Sequence, residues 1–197
     1  MTNESIQKLT ENENADSANM EEKLTTLRGV TDRLERSGVD YVVGGSGMLF
    51  GLGLTDRVRD WDIMTEAPES EIRRALGDLE LSEESGPSEL YGSGCKLTVQ
   101  GTEPEVEVII GFAVRARAGI CRLPALSGGL RNGLRIASPE VWLAAYTLMG
   151  RTEKADLLES YLQERGADPS ALSRLREQPL PSELAERLNR LPAAPTR

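Results

Sequence analysis

Histidine is absent from this 197-residue chain. That absence excludes a Ser-His-Asp or Cys-His catalytic centre, imidazole acid–base chemistry and histidine metal ligation. The two cysteines, Cys95 and Cys121, are too few for a thiolate zinc site. No apolar run approaches the ~18 residues that a membrane span requires. The N-terminal residues lack the basic-then-apolar order of a signal peptide. A cytoplasmic protein without a membrane partner is expected, and in that compartment the two cysteines are not expected to pair. Basic residues are in the minority, 23 Lys+Arg against 32 Asp+Glu, for a net charge of −9. This argues against general nucleic-acid binding by charge alone and leaves a local basic patch, and so nucleic acid as a partner, open. Acid–base and metal chemistry therefore falls to Asp and Glu, with Lys, Tyr or Arg assisting.

What is present has an ordered pattern. Residues 1–19 are polar, acidic and without periodicity, and are expected to be disordered or loosely docked. Leu24, Leu27, Val30 and Leu34 recur at helical spacing over 21–37, and Gly38 is a stop signal. A short strand at 39–43, a small Gly-rich helix at 46–54 and a strand at 59–65 follow. Pro68 opens a further helix. Strands are expected at 90–99 and 105–110, joined by a turn at Thr102-Glu103-Pro104, and a last one at 134–137. The Gly-rich stretches 86–94 and 127–133 read as loops. Ser138 caps a helix beginning Pro139-Glu140, and helices at 153–165, 170–176 and 182–190 complete the chain. The expected fold is α+β, a mixed β-sheet core over 20–137 with flanking helices, a helical C-terminal part over 138–191 and a tail over 192–197.

Arg59-Asp60-Trp61-Asp62-Ile63, shortly after Val42-Val43-Gly44-Gly45-Ser46-Gly47, is the most informative stretch. Two aspartates one residue apart in a strand share a face, with Cα atoms roughly 6–7 Å apart. Like charges that close need a cation, and carboxylate oxygens suit Mg²⁺. Trp61 points the other way, into the core. The glycine turn lets backbone approach a phosphate. It is not a P-loop, because no Gly-Lys-Ser/Thr follows, and Gly51 comes too late for a dinucleotide fingerprint. Glu105 and Glu107 share a face of their strand, and Glu107 is preferred as a third carboxylate because it sits deeper in the apolar run.

In these residues the chain resembles the nucleotidyltransferase superfamily typified by DNA polymerase β. The family pattern is Gly-Gly or Gly-Ser, a spacer, then Asp-hydrophobic-Asp/Glu-hydrophobic. Here it reads Gly45-Ser46, a spacer over 47–59, and Asp60-Trp61-Asp62-Ile63, with Val106-Glu107-Val108 as the later carboxylate. Gly150-Arg151 with Lys154 and Asp156 looks like the family's C-terminal helical element. The resemblance spans about residues 39 to 165. It implies that Asp60, Asp62 and Glu107 are catalytic and hold Mg²⁺, and that Gly44, Gly45, Ser46, Gly47, Arg57 and Arg59 bind the nucleotide phosphates. It also implies that a nucleoside monophosphate passes from a nucleoside triphosphate to a hydroxyl acceptor: a small molecule such as an aminoglycoside, a tRNA end or a protein.

The third carboxylate is Glu where the family more often has Asp. The helix near Tyr146 lacks the lysine common in relatives, and Asp56 stands where an arginine is common. These departures keep a second reading open: a catalytically degenerate binding module on the same fold, such as a toxin–antitoxin or regulatory component. Convergence of Asp60, Asp62 and Glu107 within about 5 Å, the reach of shared metal coordination, separates both readings from an accidental motif.

Overall fold

A computed structural model describes residues 3–85, 91–117 and 119–195. Helix α1 (Asn3–Arg36) lays Leu24, Leu27, Val30 and Leu34 into the core. It stops at Gly38, whose φ of +70° lies in the left-handed region that glycine tolerates. The helix begins well ahead of residue 21, so 3–19, expected to be loose, is helical in backbone. Glu, Gln, Lys and Ala are good helix formers, and a helix nucleated by a docked apolar stripe extends from it at little cost.

Seven strands form one mixed sheet in the order β3-β4-β5-β2-β1-β9-β8. They are β1 (Val42–Val43), β2 (Asp60–Thr65), β3 (Leu81–Ser85), β4 (Cys95–Val99), β5 (Glu105–Ile110), β8 (Ser127–Arg131) and β9 (Leu134–Ala137). Strand β2 runs parallel to β5 and antiparallel to β1, while β4 pairs antiparallel with both β5 and β3. Helices α2 (Gly45–Gly51) and α3 (Glu69–Ala75) flank the sheet, and β6 (Ala113–Ala116) and β7 (Gly119–Arg122) form a separate hairpin. The α+β class and the mixed sheet are as expected.

Four strands were not. The polar edge strand β3 and the β6–β7 hairpin carry no marked alternation of large apolar residues. Strand β8 falls where a Gly-rich loop was expected at 127–133. It is an edge strand, paired on one side only, with its register broken between Ser127 and Gly129. Glycine is tolerated there because backbone pairing alone holds the strand. Residues 86–90 of the other expected loop lie outside the described residues, and the strand expected from 90 starts at Cys95.

Helix α4 (Pro139–Leu148) starts on Ser138, whose hydroxyl accepts from the Val141 amide at 3.3 Å. It is buried along most of its length, and α5 (Thr152–Arg165), α6 (Pro169–Arg176) and α7 (Ser182–Asn189) join the same core. Buried Glu140 fixes this arrangement. One of its oxygens accepts from Ser138 at 2.6 Å and the other from the Asp168 amide at 2.8 Å. No helix among the described residues is long and apolar enough to cross a membrane.

Strand β2 and the segment leading into it are held to α1 by two reciprocal bonds. The fully buried Trp61 donates its indole N–H to the Lys23 carbonyl at 3.1 Å, and the Lys23 ammonium donates to the Val58 carbonyl at 3.0 Å. Replacing the indole by a phenyl ring keeps much of the apolar bulk and strands a carbonyl. Trp61→Phe is expected to cost about 1–2 kcal/mol of stability in urea denaturation. An unchanged midpoint would show that the bond contributes nothing.

Candidate active site

The parallel register of β2 and β5 sets Asp60 opposite Glu105 and Asp62 opposite Glu107. Because side chains alternate, all four rise from the face opposite Trp61. A cavity of about 860 Å³, open mouth included, lies on that face and is lined by Asp60, Asp62 and Glu107. Glu105 is exposed at the strand end and lines none of it. The two glutamates are therefore distinguished by depth, in favour of Glu107.

The glycine turn divides by role. Gly45 has φ +54°, and a Cβ there would overlap the Asp62 carboxylate, so only glycine lets this carboxylate sit where it does. Ser46 also faces the cavity, its hydroxyl 3.3 Å from the Asp60 carbonyl and 3.4 Å from Asp60 Oδ1. Gly44 and Gly47, expected to cradle phosphate, pack against the rings of Trp142 and Trp61 instead. Of the two arginines expected at the site, Arg57 is 90% exposed and lies outside the cavity. Arg59 is exposed too and does not line it, though its charge reaches Tyr146 and Lys154.

The cavity's cations come from elsewhere. Arg151 and Lys154, at the start of α5, line the side next to α4. Burial, then the charges of Arg151 and Arg59, pull the Lys154 ammonium below its ordinary range. An anion between these groups would relieve that strain. On the other side, Lys96 of β4 donates to Glu107 at 2.9 Å and pairs with Glu84 at 2.8 Å. Its burial lowers its pKa, but the bonds to the two glutamates outweigh that and raise it. Lys96 was not singled out in the sequence. Its signal is the sheet register: it faces Glu84 directly and Glu107 on the diagonal.

Neither Asp60 nor Asp62 has an ion pair among the described residues. The Asp62 carboxyl is pushed up to about 7, first by burial and then by the charges of Asp60 and Glu107. The expected close convergence is not met in this structure: the oxygens of Asp60, Asp62 and Glu107 do not gather within 4.8 Å of one another, and Glu107 accepts instead from Lys96 at 2.9 Å. Among the described residues, the trio that does is Glu69, Glu83 and Cys95, and Arg73 already bonds both of its carboxylates. Hard oxygen donors, mutual repulsion and a missing counter-charge fit Asp60 and Asp62 to a divalent cation.

A carboxyl raised in the folded state favours folding while protonated. Its contribution is complete below the ordinary value of 3.8 and is lost as pH rises through about 7. Without divalent cations, stability is expected to fall over that interval. Asp62→Asn removes the fall and raises the melting midpoint at pH 8 by about 2–8 °C. A midpoint unchanged or lowered by the substitution would contradict the crowding of charge described here.

No protein-family model matches the chain, and no curated protein matches it in sequence. Solved structures do match. A Thermotoga maritima protein, TM1012, provisionally classed as a nucleotidyltransferase, is 28% identical with a TM-score of 0.52, over 72% of this chain and 93% of that one. The antibiotic-resistance factor ANT(2'')-Ia matches through its solution structure, with a TM-score of 0.52 and 15% identity over 79% of this chain and 89% of that one. Its crystal structure in complex with adenylyl-2''-tobramycin matches with a TM-score of 0.52 and 13% identity, over 79% and 95%. The chain has a nucleotidyltransferase-like fold.

Proposed function

We propose that this protein is a Mg²⁺-dependent nucleotidyltransferase that moves a nucleoside monophosphate from a nucleoside triphosphate to a hydroxyl acceptor. The observation that supports it most is the shared cavity, with Asp60, Asp62 and Glu107 on the sheet and Arg151 and Lys154 facing it from α5. Asp60 and Asp62 hold the metal, with Glu107 completing the set, and the metal when bound supplies Lewis-acid stabilisation of phosphate charge. Ser46, Arg151 and Lys154 hold the triphosphate against the carboxylates. Gly45 leaves room for the Asp62 carboxylate. The acceptor oxygen attacks the α-phosphorus, a new P–O bond forms and the α–β anhydride bond breaks. Pyrophosphate leaves, and the acceptor's proton passes to Glu107 as base.

A protein of this fold, 13% identical to this chain, was solved in complex with adenylyl-2''-tobramycin, which supports a small-molecule acceptor. The net charge of −9 suits a cationic small molecule or protein better than RNA. One observation favours the second reading, a degenerate binding module. Lys96 already neutralises Glu107, as a side chain would in a site that no longer recruits a full metal set.

Isothermal titration of ATP, GTP, CTP and UTP, with and without Mg²⁺, distinguishes the two. Metal-dependent binding is expected, with an affinity at least about tenfold weaker after Asp60→Ala/Asp62→Ala, the loss of a charge-assisted contact or more. No binding of any triphosphate by folded wild type would contradict the nucleotidyltransferase assignment and turn attention to protein partners.

A further inference from the structure

Tyr146 lies in the last part of α4 and is 1% exposed. Its ring meets Trp142 at a centroid separation of 5.1 Å and 59°, and the Lys154 ammonium sits 5.2 Å from its centroid. Packing accounts for the ring and not for the hydroxyl. The Tyr146 oxygen is buried without a hydrogen-bond partner, the one side-chain nitrogen or oxygen in that state among the described residues. An unpartnered buried hydroxyl costs folding free energy that a phenylalanine of nearly the same volume would not. The residue lines the cavity that holds Asp60 and Asp62.

The surroundings narrow what the hydroxyl can bind. Burial and then the charge of Asp62 raise its pKa, with Asp60 adding to this while Arg151 and Arg59 oppose it. The phenol stays protonated and can donate. It shares the cavity with the carboxylates that fit a metal and with the cations Arg151 and Lys154, and both sets act on it electrostatically. A group that is both anionic and rich in acceptor oxygens, and that bridges those two sets, is a polyphosphate. We infer that the Tyr146 hydroxyl donates a hydrogen bond to a non-bridging oxygen of the triphosphate. Lys154, on a flexible stem over the ring, moves with the phosphate and opens the hydroxyl to it. This inference rests on the nucleotide reading of the cavity.

Tyr146→Phe removes the hydroxyl alone. The probes are inorganic tripolyphosphate with Mg²⁺, ATP with Mg²⁺, and Mg²⁺ by itself, each titrated calorimetrically. The expected result is an affinity about tenfold weaker for tripolyphosphate and weaker by the same factor for ATP. Mg²⁺ binding is unchanged, and the melting midpoint of the ligand-free variant is equal to or above that of wild type. Undiminished tripolyphosphate affinity would overturn the inference. A loss confined to ATP would place the contact on the nucleoside, and weaker Mg²⁺ binding would mean that the hydroxyl acts through Asp62. A lowered midpoint would give it a structural partner, and each of these results also overturns it. A wild type that binds neither phosphate compound removes the nucleotide reading itself, a result distinct from a variant that matches a binding-competent wild type.

Discussion

The parallel ladder between β2 and β5 is the constraint on which the cavity depends. Its register places Asp62 beside Glu107 and Asp60 beside Glu105. A slip of one residue would send both aspartates into the core and Trp61 into the cavity. Nothing in the carboxylates enforces that register, since they repel one another. The apolar members do so from the opposite face: Trp61, Ile63, Val106 and Val108 are fully buried. The bond from Trp61 to the Lys23 carbonyl ties the same face to α1. Burial on one side thus offsets electrostatic cost on the other.

That cost is distributed unevenly. Glu107 has Lys96 as a counterion, and Glu84 shares it. Asp62 has none, and burial, then the charges of Asp60 and Glu107, push its carboxyl up. Arg151 and Lys154 carry the opposite excess. In the proposed function a metal–polyphosphate complex would answer both at once, the cation meeting the aspartates and the phosphates meeting α5. The cavity therefore has a charge pattern complementary to such a complex, rather than to a cation or an anion alone. Lys96 adds a second element, because its pairing with Glu107 would have to break for the three carboxylates to act together as proposed.

Much of this was legible in the chain itself. The Asp60-Trp61-Asp62 alternation located the sheet face, and Ser138-Pro139 located the start of α4. The turn at 102–104 joined the right two strands. The misses have physical causes. Strand β8 is glycine-bearing and held by backbone pairing at an edge, which leaves no side-chain pattern to read. Gly44 and Gly47 look like phosphate-cradling glycines, yet they are small because two tryptophans press on them, a contact visible only once α4 and β2 are assembled. Arg57 is near the carboxylates in sequence and turned outward in space. Arg151 and Lys154, noted in the sequence as part of a C-terminal helical element but given no place among the expected phosphate-binding residues, are some ninety residues from the aspartates in sequence and line the same cavity. Sequence proximity is a poor guide where the site is closed by a helix from another part of the fold.

A crystal structure with Mg²⁺ and a non-hydrolysable ATP analogue would test the central claim most directly. The predicted result is metal density between Asp60 and Asp62, phosphates against Arg151 and Lys154, and Glu107 parted from Lys96. A bound analogue lying away from the two aspartates, with no ion between them and the Lys96–Glu107 pair intact, would contradict it.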